Sequence, residues 1–359
     1  MWVIILLKKT AFFLALLFLV PYNVYGADVS ARSAIVMDAQ TGIILYEKNA
    51  YEELPMASTT KIMTALLAIE SGRLDETVSI TDEMLRTEGS CMGLRDGDKM
   101  TLKELVTGMM LTSGNDSANA VAYFISGGIE EFVLLMNKRA KQLGMNDTCF
   151  VTPSGLDEGD HHSTAYDMAL LTAHAVKSSV FCEIVSTKSA RLVIGGEKVT
   201  VYNHNKLLSR DDAYFGVKTG FTEKAGRCLV SAREYNGNKL IFVTLNAPDD
   251  WNDHEKLLDE CEGKYNEYQV SDNLSINVVG GVRDTVAASY DSTCYVLSGF
   301  DVKLYYKPFY YAPVKKGDIL GYACLYCNDK LINKLPVKAT EDVKYYVGEE
   351  QNTSAKIHG

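Results

Sequence analysis

The composition shifts near Tyr268, to Val/Tyr-rich runs broken by turn residues, so no single architecture suits the whole 359-residue chain. From Ser58 the spacing is helical, and after Arg191 the chain becomes strand-like. Ile62, Ala65, Leu66 and Ile69 recur at i, i+3, i+4 and i+7, and Ser71-Gly72 ends the run. Thr101 and Glu104 have capping-box spacing, ahead of the stripe Leu102, Leu105, Val106, Met109 and Met110. Helices are also expected over about 117–126, 130–143, 164–177 and 251–265, and a hairpin over about 33–48 turning at Gln40-Thr41-Gly42. Two strand-like runs, 228–232 and 239–245, flank Asn236-Gly237-Asn238, a strong hairpin signal. After the break, short Val/Tyr-rich runs alternate with turn residues, and twelve of the 21 tyrosines fall between Tyr265 and Tyr346. This predicts an α/β unit over 27–267, a small all-β sandwich over 268–347 and a polar tail over 348–359.

Hydrophobic residues make up 47% and charged residues 23%, which excludes a disordered chain and a multi-span membrane protein. The N-terminus has the pattern of an export leader: Lys8 and Lys9, an apolar run from Ala11 to Val20, then Pro21 and Val24-Tyr25-Gly26. Cleavage after Gly26 is expected, so the protein works outside the cytoplasm. The alternative is an uncleaved membrane anchor, with the lysine pair held in the bilayer at high cost. Cleavage removes two lysines and no acids, so the net charge of -10 becomes -12. That leaves no basic footprint, and nucleic acid is not an expected partner.

Eight cysteines are too few for a disulfide scaffold. An even count in an exported chain invites individual disulfides, and the wide scatter fits buried small hydrophobes equally well. Cys324 and Cys327 form the one close pair, with no second pair and no nearby histidine, so zinc is not expected. His161 and His162, adjacent in a polar loop, read as structural rather than metal-binding.

Three short motifs carry chemistry. In Ser58-Thr59-Thr60-Lys61 a helix puts serine and lysine on one face, pairing a nucleophile with a base. Lysine serves as a base only if burial or a second cation lowers its pKa. Alone, the motif reads as a helix start with a solvated lysine, because a chain of this size carries roughly one or two such matches by composition. Ser113-Gly114-Asn115 follows the capping-box helix; its serine suits a proton relay and its asparagine a peptide backbone, but it is also an ordinary helix-ending turn. Lys218-Thr219-Gly220 suits an anionic carboxylate, or is a plain strand-end turn.

In this order and at these spacings the three form the set shared by penicillin-binding proteins and class A β-lactamases. The chain resembles the D-alanyl-D-alanine carboxypeptidases, the low-molecular-mass penicillin-binding proteins. The flanking residues carry the resemblance further: Leu54-Pro55-Met56-Ala57 before the first motif, and Gly93-Leu94-Arg95-Asp96-Gly97-Asp98 before the second. So do Pro153-Ser154-Gly155-Leu156-Asp157, His162-Ser163-Thr164-Ala165, and Gly216-Val217 through Gly226 around the third. The likeness spans about 30–265. It implies an α/β (α+β) transpeptidase-like domain, an antiparallel sheet between helices, and a β domain after it.

The resemblance also implies roles. Ser58 would attack the carbonyl between the two terminal D-alanines of a peptidoglycan stem peptide. Lys61 would act as its base, its ammonium disfavoured by Lys218, and Ser113 would carry the proton to the leaving amine. Asn115 would hold the peptide, and Lys218 and Thr219 the terminal carboxylate. Gly220 would let the substrate lie along the strand, and the backbone N–H groups of Ser58 and Phe221 would form the oxyanion hole. β-Lactams would trap Ser58 as a slow ester, and no metal or organic cofactor is implied. His204 stands where relatives often carry threonine or a carboxylate-holding arginine, and could help only when protonated. The tail lacks the amphipathic membrane helix of many relatives, leaving an uncleaved N-terminus as the one route to a membrane. Rival readings are a class A β-lactamase, a D,D-endopeptidase, and a non-catalytic wall-binding or β-lactam-sensing protein. The first lacks its Glu-x-x-Leu-Asn segment between Ser113 and Lys218. The intact Ser58, Lys61, Ser113 and Lys218 speak against the last.

Overall fold

The computed structural model describes residues 27–296, 299–327 and 329–347. The export leader and the polar tail expected from sequence lie outside these residues. Strand β1 (Ser33–Asp38) is wholly buried and runs antiparallel to β2 (Ile44–Lys48) across the expected turn. A 3₁₀ turn, Ala57–Thr60, leads into α1 (Lys61–Glu70), of which only the last two residues escape burial. A short ladder, β3 (Thr77–Ser79) with β4 (Lys99–Thr101), brings the chain to α2 (Leu102–Thr112). The capping box forms: Glu104 N–H donates to Thr101 Oγ1 at 3.2 Å and Thr101 N–H to Glu104 Oε2 at 2.8 Å. Every residue of the expected stripe is buried.

Helices α3 (Asn115–Ser126), α4 (Ile129–Leu143) and α5 (Ala165–Ala175) match expectation within two residues. Helix α6 (Ser179–Ser186) was not expected; it is short, and a side-chain cap from Ser178 to the Phe181 N–H starts it. A two-stranded ribbon follows, β5 (Ser189–Ile194) with β6 (Glu197–Tyr202). The chain then forms β7 (Tyr214–Thr222), β8 (Gly226–Tyr235) and β9 (Asn238–Leu245), and closes with α7 (Asp250–Cys261). Asn236 and Gly237 both take positive φ, 50° and 78°, as a two-residue hairpin turn requires.

All pairings in this five-stranded sheet are antiparallel, in the order β2-β1-β9-β8-β7. Helices cover both faces. Ile35, Met37, Val230 and Ile241 join the core of α1, α2, α3 and α5, while Val36, Leu240 and Phe242 pack with Leu257 and Cys261 of α7. Strand β7 is left at the edge, against the 3₁₀ turn that carries Ser58.

The β-rich remainder begins two residues before the compositional break. A long hairpin, β10 (Asn266–Val279) with β11 (Thr285–Val296), is followed by β12 (Asp301–Tyr306), β13 (Tyr310–Tyr311), β14 (Ile319–Cys327) and β15 (Lys330–Ala339). Their order is β12-β14-β15-β11-β10-β13. Two residue pairs alone, Ala288↔Ala339 and Ser289↔Lys338, join β11 to β15. On either side of that corner, three-stranded halves feed one core: Ile276, Val286 and Ala288 from one, Ala323, Leu325 and Val337 from the other. Cys91, Cys149, Cys182, Cys228, Cys261, Cys294 and Cys324 are free thiols.

Candidate active site

The three motifs meet at the edge of β7. Ser58 lies on the 3₁₀ turn and Lys61 opens α1, three residues on, so their side chains share a face. Lys61 is fully buried. Its Nζ lies 2.9 Å from Ser58 Oγ, 2.7 Å from Asn115 Oδ1 and 2.7 Å from the Ser154 carbonyl. Burial lowers its pKa well below that of a free lysine; the Lys218 ammonium lowers it further, and Asp116 opposes both. Both causes that would let a lysine serve as a base are present, and burial is the larger. Lys218 is itself buried, donates to the Thr219 carbonyl at 2.7 Å, and is lowered to about 7 by desolvation.

Ser113 caps α2 in the left-handed region, at φ 62°, and its hydroxyl has no hydrogen-bond partner among the described residues. Asn115, the first residue of α3, is buried. Its Oδ1 accepts from Lys61, and its Nδ2 donates to the Glu88 carbonyl at 2.7 Å. The structure therefore gives this side chain a role that the sequence reading did not, as a clamp on Lys61.

Lys218, Thr219 and Gly220 are mid-strand, on the edge strand β7, not at a strand-end turn. Gly220 is required by contact. A Cβ there would lie 3.0 Å from the Ser58 N and 3.2 Å from the Met56 O, so the strand and the nucleophile turn touch backbone to backbone. A cleft of about 540 Å³ opens over this contact. Ser58, Ser113, Thr219, Gly220 and the largely exposed Phe221 line it. His204 lines it too, but partial burial and Lys218 lower its pKa. Both disfavour the protonated form, the one form in which His204 could hold a carboxylate.

Three residues outside the motifs support the site. Gly155 (φ 89°) tucks under the nucleophile turn, where a Cβ would come within 1.9 Å of the Ala57 carbonyl. His161 is buried with its pKa lowered to about 4 by desolvation, hence neutral. Its Nδ1 accepts from the Val151 N–H at 2.9 Å, so the proton sits on Nε2, which donates to Thr60 Oγ1 at 2.8 Å. Thr60 in turn donates to the Ala57 carbonyl at 2.8 Å. Asp116 accepts from the Met92, Gly93 and Leu94 N–H groups, which fixes the wall that carries Ser90. The structural role expected for His161 thus has a definite partner. The carbonyls of Ser154 and Ala57 have no side-chain signature.

The family profile described as D-alanyl-D-alanine carboxypeptidase matches residues 21–249. The chain belongs to that family. A second profile, the C-terminal domain of penicillin-binding protein 5, matches residues 270–345. The D-alanyl-D-alanine carboxypeptidase DacF of Bacillus subtilis is 33% identical over 334 residues, covering 88% of this chain and 86% of that one. DacC of Escherichia coli is 31% identical over 352 residues, covering 90% and 86%. Among solved structures, the carboxypeptidase DacD of Francisella tularensis superposes with a TM-score of 0.64 at 27% identity, covering 89% of this chain and 95% of that one. As a D-alanyl-D-alanine carboxypeptidase family member, the chain is a serine-peptidase hydrolase, built from a catalytic domain of this fold and a C-terminal β domain.

Proposed function

We propose that the protein is exported and removes the terminal D-alanine of peptidoglycan stem peptides through an acyl-enzyme on Ser58. One observation carries the reading: a buried lysine of lowered pKa lies 2.9 Å from Ser58 Oγ. A neutral amine has two N–H donors and one lone pair. Asn115 Oδ1 and the Ser154 carbonyl accept the two hydrogens, and the lone pair is left for the Ser58 hydroxyl.

Ser58 Oγ passes its proton to Lys61 and bonds to the carbonyl carbon between the two D-alanines. The N–H groups of Ser58 and Phe221 hold the oxyanion, worth about 3–4 kcal/mol per donor. Collapse breaks the C–N bond; Ser113, unpartnered at the cleft wall, gives its hydroxyl proton to the leaving amine and takes in exchange the proton held by Lys61, which returns Lys61 to the free amine. Water then attacks the ester with Lys61 again as base, releasing the shortened peptide and restoring Ser58. Thr219 and Lys218 receive the substrate's carboxylate, and Gly220 lets the peptide lie along β7. A β-lactam follows the same first step, but its leaving group stays tethered and the ester persists. Export rests on the leader pattern of residues 1–26. The catalytic domain is assigned to 27–267 and the β domain to 268–347.

The test is D-alanine release from an N-acylated Lys-D-Ala-D-Ala peptide by residues 27–359, with benzylpenicillin turnover followed in parallel. Fast D-alanine release with slow penicillin turnover is expected. The reverse pattern points to a β-lactamase. In Ser58→Ala, both hydrolysis and penicillin labelling disappear with the fold intact; surviving label sinks the nucleophile assignment.

A further inference from the structure

The peptide substrate is an anion, and the protein's net charge is -10. Long-range steering therefore works against the encounter, and some local cation must offset it. The two motif lysines do not meet incoming solvent, because Lys61 and Lys218 are both buried and bonded beneath the cleft surface. Among the residues that line the cleft, the cationic side chains are Lys206 and Arg227. Arg227 is already neutralised. Its Nε and one terminal nitrogen contact the buried Asp250 carboxylate at 2.8–3.0 Å. Lys206 has no carboxylate partner among the described residues; its ammonium stands 5.9 Å from the centre of the Trp251 ring.

Its base is held firmly. Lys206 opens a 3₁₀ turn (Lys206–Ser209) capped by Asn205 Oδ1, which accepts from the Leu207 N–H at 3.0 Å. Leu207 and Leu208 behind it are buried, and the turn packs against β7, the strand that carries Thr219. In the neighbouring His204, partial burial and Lys218 disfavour the protonated form. Among the described residues that line the cleft, Lys206 is thus the one unneutralised cation on the Thr219 wall.

We infer that Lys206 is a substrate-binding residue that captures the C-terminal carboxylate of the incoming peptide and passes it to Thr219 and Lys218. The inference rests on the carboxypeptidase reading, and deepens it by assigning the first anion contact to a residue outside the three motifs. An exposed ammonium that gains a charge-assisted hydrogen bond contributes modestly, about five- to tenfold in affinity.

The experiment compares wild type, Lys206→Gln and Lys206→Arg on two peptides, one ending in D-Ala-D-Ala carboxylate and one in the corresponding C-terminal amide. For the carboxylate peptide, Lys206→Gln should lower kcat/KM about five- to tenfold, mostly through KM. Lys206→Arg should stay within about twofold of wild type, and the deficit of Lys206→Gln should shrink as salt rises. For the amide peptide, Lys206→Gln and wild type should agree. Equal rates for Lys206→Gln and wild type on the carboxylate peptide overturn the inference, as does an equal loss on both peptides. Penicillin labelling of Ser58 in each variant reports that the site is folded. A wild type that labels with penicillin yet releases no D-alanine overturns the underlying reading instead.

Discussion

Among the described residues, every buried Ser, Thr, Asn, Asp, His or Lys side chain lies within residues 33–254, whereas the core of the β-rich half is built from aliphatic, Tyr and Cys side chains. The backbone follows the same division. Among the described non-glycine residues, and apart from Asn and Asp, which tolerate it, positive φ falls on Ala57, Ser113 and Val217: one beside the nucleophile, one in the second motif, one beside Lys218. In the β-rich half the one such non-glycine residue is Asp329, in the β14–β15 turn. Burying lysine and forcing a β-branched residue to φ 117° both cost free energy. The first half bears those costs where chemistry needs a desolvated amine and close backbone contact. The second half has no such demand, and is an ordinary ladder around an apolar core.

The largest test of that contrast exchanges activity against stability. Lys61→Met should lower D-alanine release by at least about a thousandfold, with cooperative unfolding retained. Leu325→Ala, in the other core, should destabilise the β half by roughly 2–5 kcal/mol and leave kcat of the folded enzyme unchanged. A matching loss of kcat in Leu325→Ala would break the division.

Gly155→Ala comes next. Its new methyl meets the Ala57 carbonyl at φ 89°, so the nucleophile turn must shift. We expect activity about 100-fold down, since small misplacements of reacting groups are costly, with a few kcal/mol of stability lost. Steady-state kinetics and a melting curve read both.

Acid should separate the halves. Burial holds His161 at about 4 and His254 at about 3, against about 6.5 in the unfolded chain. Below pH 6.5 the unfolded chain binds protons that the folded chain does not. Stability therefore falls as pH drops towards 4, by roughly 1.4 kcal/mol per unit for each histidine. Lys218, at about 7, acts in the same direction higher up, with stability rising from there towards 10.5. No histidine lies in residues 268–347. With residues 1–26 removed, Trp251 is the remaining tryptophan and reports on the first half. Its denaturation midpoint should fall between pH 6.5 and 4, while that of the tyrosine-rich half stays flatter. Parallel curves would show that the halves unfold as one.

The smallest effect is Ala57→Gly. Relief of the left-handed strain, about 1–2 kcal/mol, is partly offset by glycine's extra freedom when unfolded, leaving roughly 0.5 kcal/mol of stabilisation. Asp329→Gly in the relaxed half should change stability less, because aspartate already tolerates that conformation.

Much of this was legible before any coordinates. Periodicity located α1 to α5, the capping box and the β8–β9 hairpin, because those signals are local: side-chain spacing, a cap, a turn that only Asn-Gly adopts readily. It missed α6, eight residues long, and extended α7 to Tyr265, where the chain leaves the helix at Cys261. Motif spacing named Ser58, Lys61, Ser113 and Lys218, because side-chain chemistry is written in residue identity. What spacing left open was their environment. Whether Lys61 is a solvated ammonium or a buried amine depends on Asn115, Ser154 and Lys218, at 54, 93 and 157 positions' remove. Whether Gly220 is a turn or a contact depends on Met56 and Ser58 across the cleft. Sequence determined which functional groups are present and which local structures they can start. Tertiary structure decided their pKa values, their strain and their partners, because desolvation and close contact arise only when distant segments pack together.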